Sequence, residues 1–137
     1  MATYATDYST TNSAYTPGLN GQPGVREVTF TVNTALALND VIEMLPVKAG
    51  ERILEIHLFA DDLDTGGSPA IVLDVGDGDD TDRFIDGSTV GQAGGSESAI
   101  SKHVYAADDT IDVLVQAAPA TGATGVTITL RMIFVRG

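Results

Sequence analysis

The chain has 137 residues, of which 43% are hydrophobic, with no cysteine and a net charge of −12. That is the size of one domain, burying roughly 65–70% of its unfolded surface. The lack of cysteine excludes disulfide frameworks, thiolate zinc sites and thiol catalysis. The charge argues against nucleic acid and against anionic lipid, because both are held by Lys and Arg.

Residues 1–24 are rich in Ser, Thr, Asn, Gly and Pro, have Asp7 as their only charged side chain, and hold Tyr4, Tyr8 and Tyr15, three of the four tyrosines. They contain neither the basic start nor the apolar run of a secretory signal. No stretch approaches the ~20 apolar residues of a membrane span. A segment this polar builds no core of its own. Ordering backbone costs about 1–2 kcal/mol per residue, so the segment is expected to act as an extended arm laid over neighbouring subunits. The tyrosines would be its amphipathic pegs, and Arg26, at the junction, would form an ion pair across a subunit boundary.

Residues 25–137 form the domain. Val28, Phe30 and Val32 alternate with Thr29, Thr31 and Asn33 as a first strand, and Val41 to Leu45 is a second, ended by Pro46 and the Lys48–Gly50 turn. In Arg52 to Ala60, period-2 alternation sets Leu54, Ile56, Leu58 and Ala60 on one face and Ile53, Glu55, His57 and Phe59 on the other. An acidic turn with Asp61, Asp62 and Asp64 leads to a strand at Ala70 to Val75. A second acidic turn, Gly76 to Asp82, leads to a short strand at Arg83 to Ile85. The Gly-rich segment Ser88 to Ser96 has room for one helical turn. Further strands are expected at Ala99 to Ala106, Ile111 to Gln116 and Val126 to Val135. About eight short strands and no amphipathic helix point to an all-β fold, a single β-sandwich of jelly-roll type.

The acidic turns are the main chemical signal, since aspartates on Gly-containing loops are the oxygen ligands calcium takes. Asp77, Asp79 and Asp82 are the calcium candidates. They fail the EF-hand pattern, where Asp82 would occupy the glycine position and Ser88 the final glutamate. Turn capping and protection of sheet edges account for the same residues. His57 and His103 lie in no HExxH pair, and there is no G-x-S-x-G elbow or phosphate-binding loop. The sequence therefore reads as a non-enzyme without a cofactor.

The Tyr-bearing arm, the passages Leu45–Gly66 and Ile71–Gly87, and the segment Ser88–Gly95 together resemble the head decoration (cement) proteins of tailed bacteriophages. The resemblance implies a β-domain made in the host cytoplasm and carried on the outer surface of the virion capsid. It implies a homotrimer whose arms bridge major capsid protein subunits, with no catalytic residues. The acidic turns would point away from the shell and the nearly uncharged arm toward it. The alternative, motivated by those turns, is a calcium-dependent carbohydrate-binding or receptor-binding module of a phage fibre or spike. The absence of tryptophan weighs against a sugar platform.

Overall fold

The computed structural model describes residues 1–6 and 22–136. Among them are nine strands: β1 (Thr3–Ala5), β2 (Gly24–Val32), β3 (Val41–Val47), β4 (Glu51–Ala60), β5 (Val72–Gly76), β6 (Ile85–Ser88), β7 (Gly95–Ile100), β8 (Asp109–Ala117) and β9 (Val126–Arg136). One 3-10 turn at Val90–Gln92 interrupts them, within the glycine-rich segment where a single turn was expected.

Two sheets face each other, one ordered β2-β9-β4-β7 and the other β1-β3-β8-β5-β6. The strands β2 to β9 pair as nested hairpins, β2 with β9, β3 with β8, β4 with β7 and β5 with β6, all antiparallel. Successive nested pairs fall in opposite sheets. This is a long hairpin rolled into a jelly roll of eight strands, the expected fold. β1 is an addition to it, parallel to β3 and on the edge of the five-stranded sheet.

Alternation decides which residues enter the core. Ile111, Val113 and Val115 of β8 and Ile128, Leu130, Met132 and Phe134 of β9 are fully buried. In β4 the phase changes part-way. The pairing with β9 shifts register between Ile53 and Glu55, so Ile53 as well as Ile56 and Leu58 points inward. Leu54, expected on the core face, is the extra residue of this bulge and is half-buried at the surface. The strand expected at Ala99 to Ala106 lies earlier, as β7. His103 and Tyr105 instead follow it in a loop whose backbone bonds to the start of β4 (Ile53 N–H to His103 O, 2.9 Å; Tyr105 N–H to Glu51 O, 2.9 Å).

Candidate interaction surfaces

The described part of the N-terminal segment lies against its own sandwich. The Ala2 N–H donates to Asp40 Oδ1 (2.7 Å), and the Val41 N–H donates to Ala2 O (2.8 Å). Thr6 is buried, its N–H donating to Glu43 O (3.0 Å) and its hydroxyl to Met44 O (2.6 Å). Between them, Tyr4 places its ring 5.7 Å from that of Phe30 at the open rim of the core. Tyr8 and Tyr15 lie outside the described residues.

Arg26 does not present its cation to the surface. β2 alternation turns it inward, where its guanidinium forms a two-pronged pair with Glu51 at 2.6 Å for each prong and donates to Pro46 O at 2.9 Å. Its planar head also stacks 4.2 Å from the Phe134 ring centroid, and both charged side chains are fully buried. The intersubunit pairing expected of Arg26 is thus replaced by a pair inside one chain. A charge removed from water this far needs its counter-ion on the spot.

The acidic turns use their carboxylates to fix backbone. Asp64 accepts from the N–H groups of Gly66, Ala70, Ile71, Ala120 and Thr121, tying the β4–β5 connection to the β8–β9 connection. Burial alone would raise its pKa. The N–H donors, Ala70 foremost, outweigh that and hold it well below the usual carboxylate range.

Asp77 is 1% exposed and accepts from the Tyr105 hydroxyl (2.7 Å), from Arg83 Nε (2.6 Å) and from the N–H groups of Asp79 and Asp80. Burial again opposes ionisation, but Arg83 and Tyr105 overcome it and lower its pKa. The same contact, after burial, pushes the Tyr105 phenol up. His103 completes this cluster, edge-on to Tyr105 at 4.6 Å with Nδ1 3.4 Å from Arg83. Nothing in local sequence pairs Asp77 with Tyr105, because the contact forms only once the β5–β6 turn meets the β7–β8 loop.

The three calcium candidates are therefore not brought together. Asp77 is spent on Arg83 and Tyr105, and Asp79 is exposed. Asp82 instead converges with Asp74 and Asp86, with carboxylate oxygens within 4.8 Å of one another. A hydrogen bond with Asp80, then burial and the neighbouring carboxylates raise the pKa of Asp82. Asp74 already accepts from the Gly87 N–H (2.8 Å) and from Gln116 Nε2 (3.1 Å).

The two outer faces differ in charge. The strands of the five-stranded sheet carry Glu43, Asp74, Asp86, Asp109 and Asp112 and no Lys or Arg. Apart from the buried Arg26–Glu51 pair, those of the four-stranded sheet carry three arginines (52, 131, 136) against three glutamates (27, 55, 97). Two local contacts form here, Arg131 with Glu27 at 2.6 Å and His57 with Glu55 at 3.4 Å. One end of this neutral face is apolar. The cross-strand register sets Val25 beside Ile133, Ile133 beside Glu55, and Glu55 beside Ile100. Val135, Arg52 and Val104 form an adjoining row. Val25 is 57% exposed, Val104 44% and Ile100 87%. Glu55 and Arg52 stand between these apolar side chains in the two rows.

Comparison with solved structures decides the family. A chain in the capsid of Ralstonia phage GP4 is 32% identical, with 98% of each chain covered and a TM-score of 0.86. The protein belongs to that family of bacteriophage capsid proteins. Chains in the capsid of cyanophage Pam1 (22% identity, 91% of this chain and 92% of that one, TM-score 0.76) and of Helicobacter pylori bacteriophage KHP30 (12%, 85% and 90%, TM-score 0.59) share the fold. No protein-family model and no curated protein matches the sequence. A phage capsid protein has a structural role in the virion.

Proposed function

We propose that this capsid protein decorates the outside of the shell and stabilises it by bridging major capsid protein subunits, as a homotrimer. The observation that carries this reading is the near-complete match to a chain of the GP4 capsid. The division of the surface supports the orientation. A face with balanced charge and exposed Val25, Val104 and Ile100 costs less to cover than the face bearing Glu43, Asp86, Asp109 and Asp112, which needs cations opposite. The apolar end of the four-stranded sheet is accordingly the shell-side surface, and the acidic sheet faces solvent. Of the arm expected over residues 1–24, Ala2–Thr6 lie on the sandwich and Gly24 opens β2, and the part between them, with Tyr8 and Tyr15, is proposed to touch neighbouring subunits. A trimer that engages several subunits at once gains a factor of roughly 10²–10⁴ over one contact, which is enough to make weak individual contacts a durable clamp.

The test is reconstitution. Particles assembled without this protein are mixed with the purified chain, then pelleted and heated. Saturable binding to the exterior and a higher temperature of genome release are expected. Absence of binding to mature shells, or a location confined to the tail or the interior of the particle, overturns the proposal.

A further inference from the structure

The strand β1 is built into the fold in a way that points to a second copy of this chain. It is the one parallel strand pairing among the described residues, only three residues long, and lies outside the nested hairpins that account for the other eight strands. Its seat on β3 is nonetheless specific. Asp40, 2% exposed, accepts from the N–H groups of both Ala2 and Ala37. Thr6 inserts its hydroxyl at Met44 O, and Tyr4 closes the rim beside Phe30. Without β1 the free edge of β3 would expose an unpaired backbone row, a template for another chain.

What joins β1 to β2 is far longer than the path requires. Thr6 sits beside Glu43 and Met44, while β2 starts at Gly24 and, two residues on, its Arg26 side chain reaches Pro46 O. Both ends of the connection thus lie near the second half of β3, on sheets stacked ~10 Å apart. Residues 7–23 have an extended reach of about 55 Å, and connections in compact domains are commonly about 4–6 residues. Extra length costs little in closure entropy, about 0.6 kcal/mol per doubling, so the seat is within reach of a strand from a neighbour. The segment also carries a single charge, Asp7, in a chain of net charge −12. It can enter a neighbouring copy while bringing only this one negative side chain with it.

We propose that residues 1–6 are exchanged between copies, so that the seat on β3 of one protomer is filled by the Ala2–Thr6 segment of the next. Every contact described above is then kept in trans, and the heterologous link closes into a ring. The proposal goes beyond the decoration role and does not depend on it, because it concerns the purified protein alone.

The chain has no cysteine of its own, so a pair placed at Ala5 and Glu43, which are in register across β1 and β3, reports directly on the exchange. The full-length A5C/E43C variant, confirmed as folded by its melt, is oxidised and run on a non-reducing denaturing gel. The single-cysteine variants set the background of random coupling. Exchange predicts reductant-sensitive covalent oligomers as the main product, well above either single variant. A main product of internally bridged monomers means that the strand pairs in its own chain and overturns the proposal. Two free thiols mean that β1 does not occupy the seat, which overturns it equally.

Discussion

At the scale of single residues, Arg26 shows why charge in a sequence is a poor guide to surface. Its inward direction is written in the β2 alternation, between Gly24 and Val28, but its partner Glu51 is 25 positions away and meets it only when β2 and β4 pair with the two sides of β9. Removing one member leaves the other as an uncompensated buried charge, at a cost of about 3–5 kcal/mol. Arg26→Met should therefore lower stability by that amount in chemical denaturation. The double change Arg26→Met with Glu51→Leu should recover most of the loss, since an apolar pair of similar volume avoids the desolvation penalty. Equal losses in single and double variants would show that the Phe134 stacking, and not the ion pair, holds the site. The acidic turns show the same limit from the other side. Asp64 and Asp77 look like ligands for a cation because their sequence neighbours are other carboxylates and glycines. Their actual partners, five backbone N–H groups in one case and Arg83 with Tyr105 in the other, include donors from other loops that are adjacent only in space.

At the scale of elements, strands with strict alternation were legible and departures from it were not. β8 and β9 lie almost where the pattern puts them. β4 was found, but its bulge trades Leu54 for Ile53, and a period-2 reading has no means of seeing one inserted residue. β7 was displaced because Gly95–Ile100 has an exposed, small-residue sequence and is held by pairing with β4 rather than by burial. β1 has the same character. The β3–β8 pair carries a testable consequence of register, since Glu43 and Asp112 stand directly opposite each other on the acidic face. Burial raises the Asp112 carboxyl to about 7; Thr110, which donates to it, opposes the rise, while Glu43, Asp109 and Asp77 add to it. The folded chain then holds a proton that the unfolded chain loses near its ordinary value of 3.8. Stability from this group is present at acid pH, declines between about pH 4 and 7, and stays lower above. Asp112→Asn should melt like the parent at pH 4 and be more stable at pH 8 by roughly 1–2 kcal/mol, the discount reflecting solvent screening at a partly exposed site. An equal effect at both pH values would mean that proton binding is not its origin.

At the scale of the whole molecule, the rolled hairpin explains how one chain acquires two unlike faces. Nested pairs are dealt alternately to the two sheets, so residues close in sequence are separated and the acids of β3, β5, β6 and β8 accumulate on one side. That leaves a balanced side whose apolar end is assembled from β2, β9, β7 and the loop after β7. The sequence could show the individual exposed positions only as ordinary strand residues; it took the register to make them a patch. If this end meets the shell, a charge that replaces its most exposed apolar side chain has to be desolvated against the partner. Ile100→Asp, at a position already 87% exposed, should leave the melt within about 0.5 kcal/mol of the parent. It should weaken binding to reconstituted particles at least ~10-fold, because burying an unpaired charge costs more than the 1.4 kcal/mol that factor represents. Asp86→Asn on the opposite face is the control and should bind as the parent does. Were Ile100→Asp to bind normally while Asp86→Asn did not, the molecule would sit on the shell by its acidic sheet. The partner surface would then have to supply Lys and Arg opposite Glu43, Asp86 and Asp109, and binding would weaken steeply with salt, as attachment by the apolar end would not.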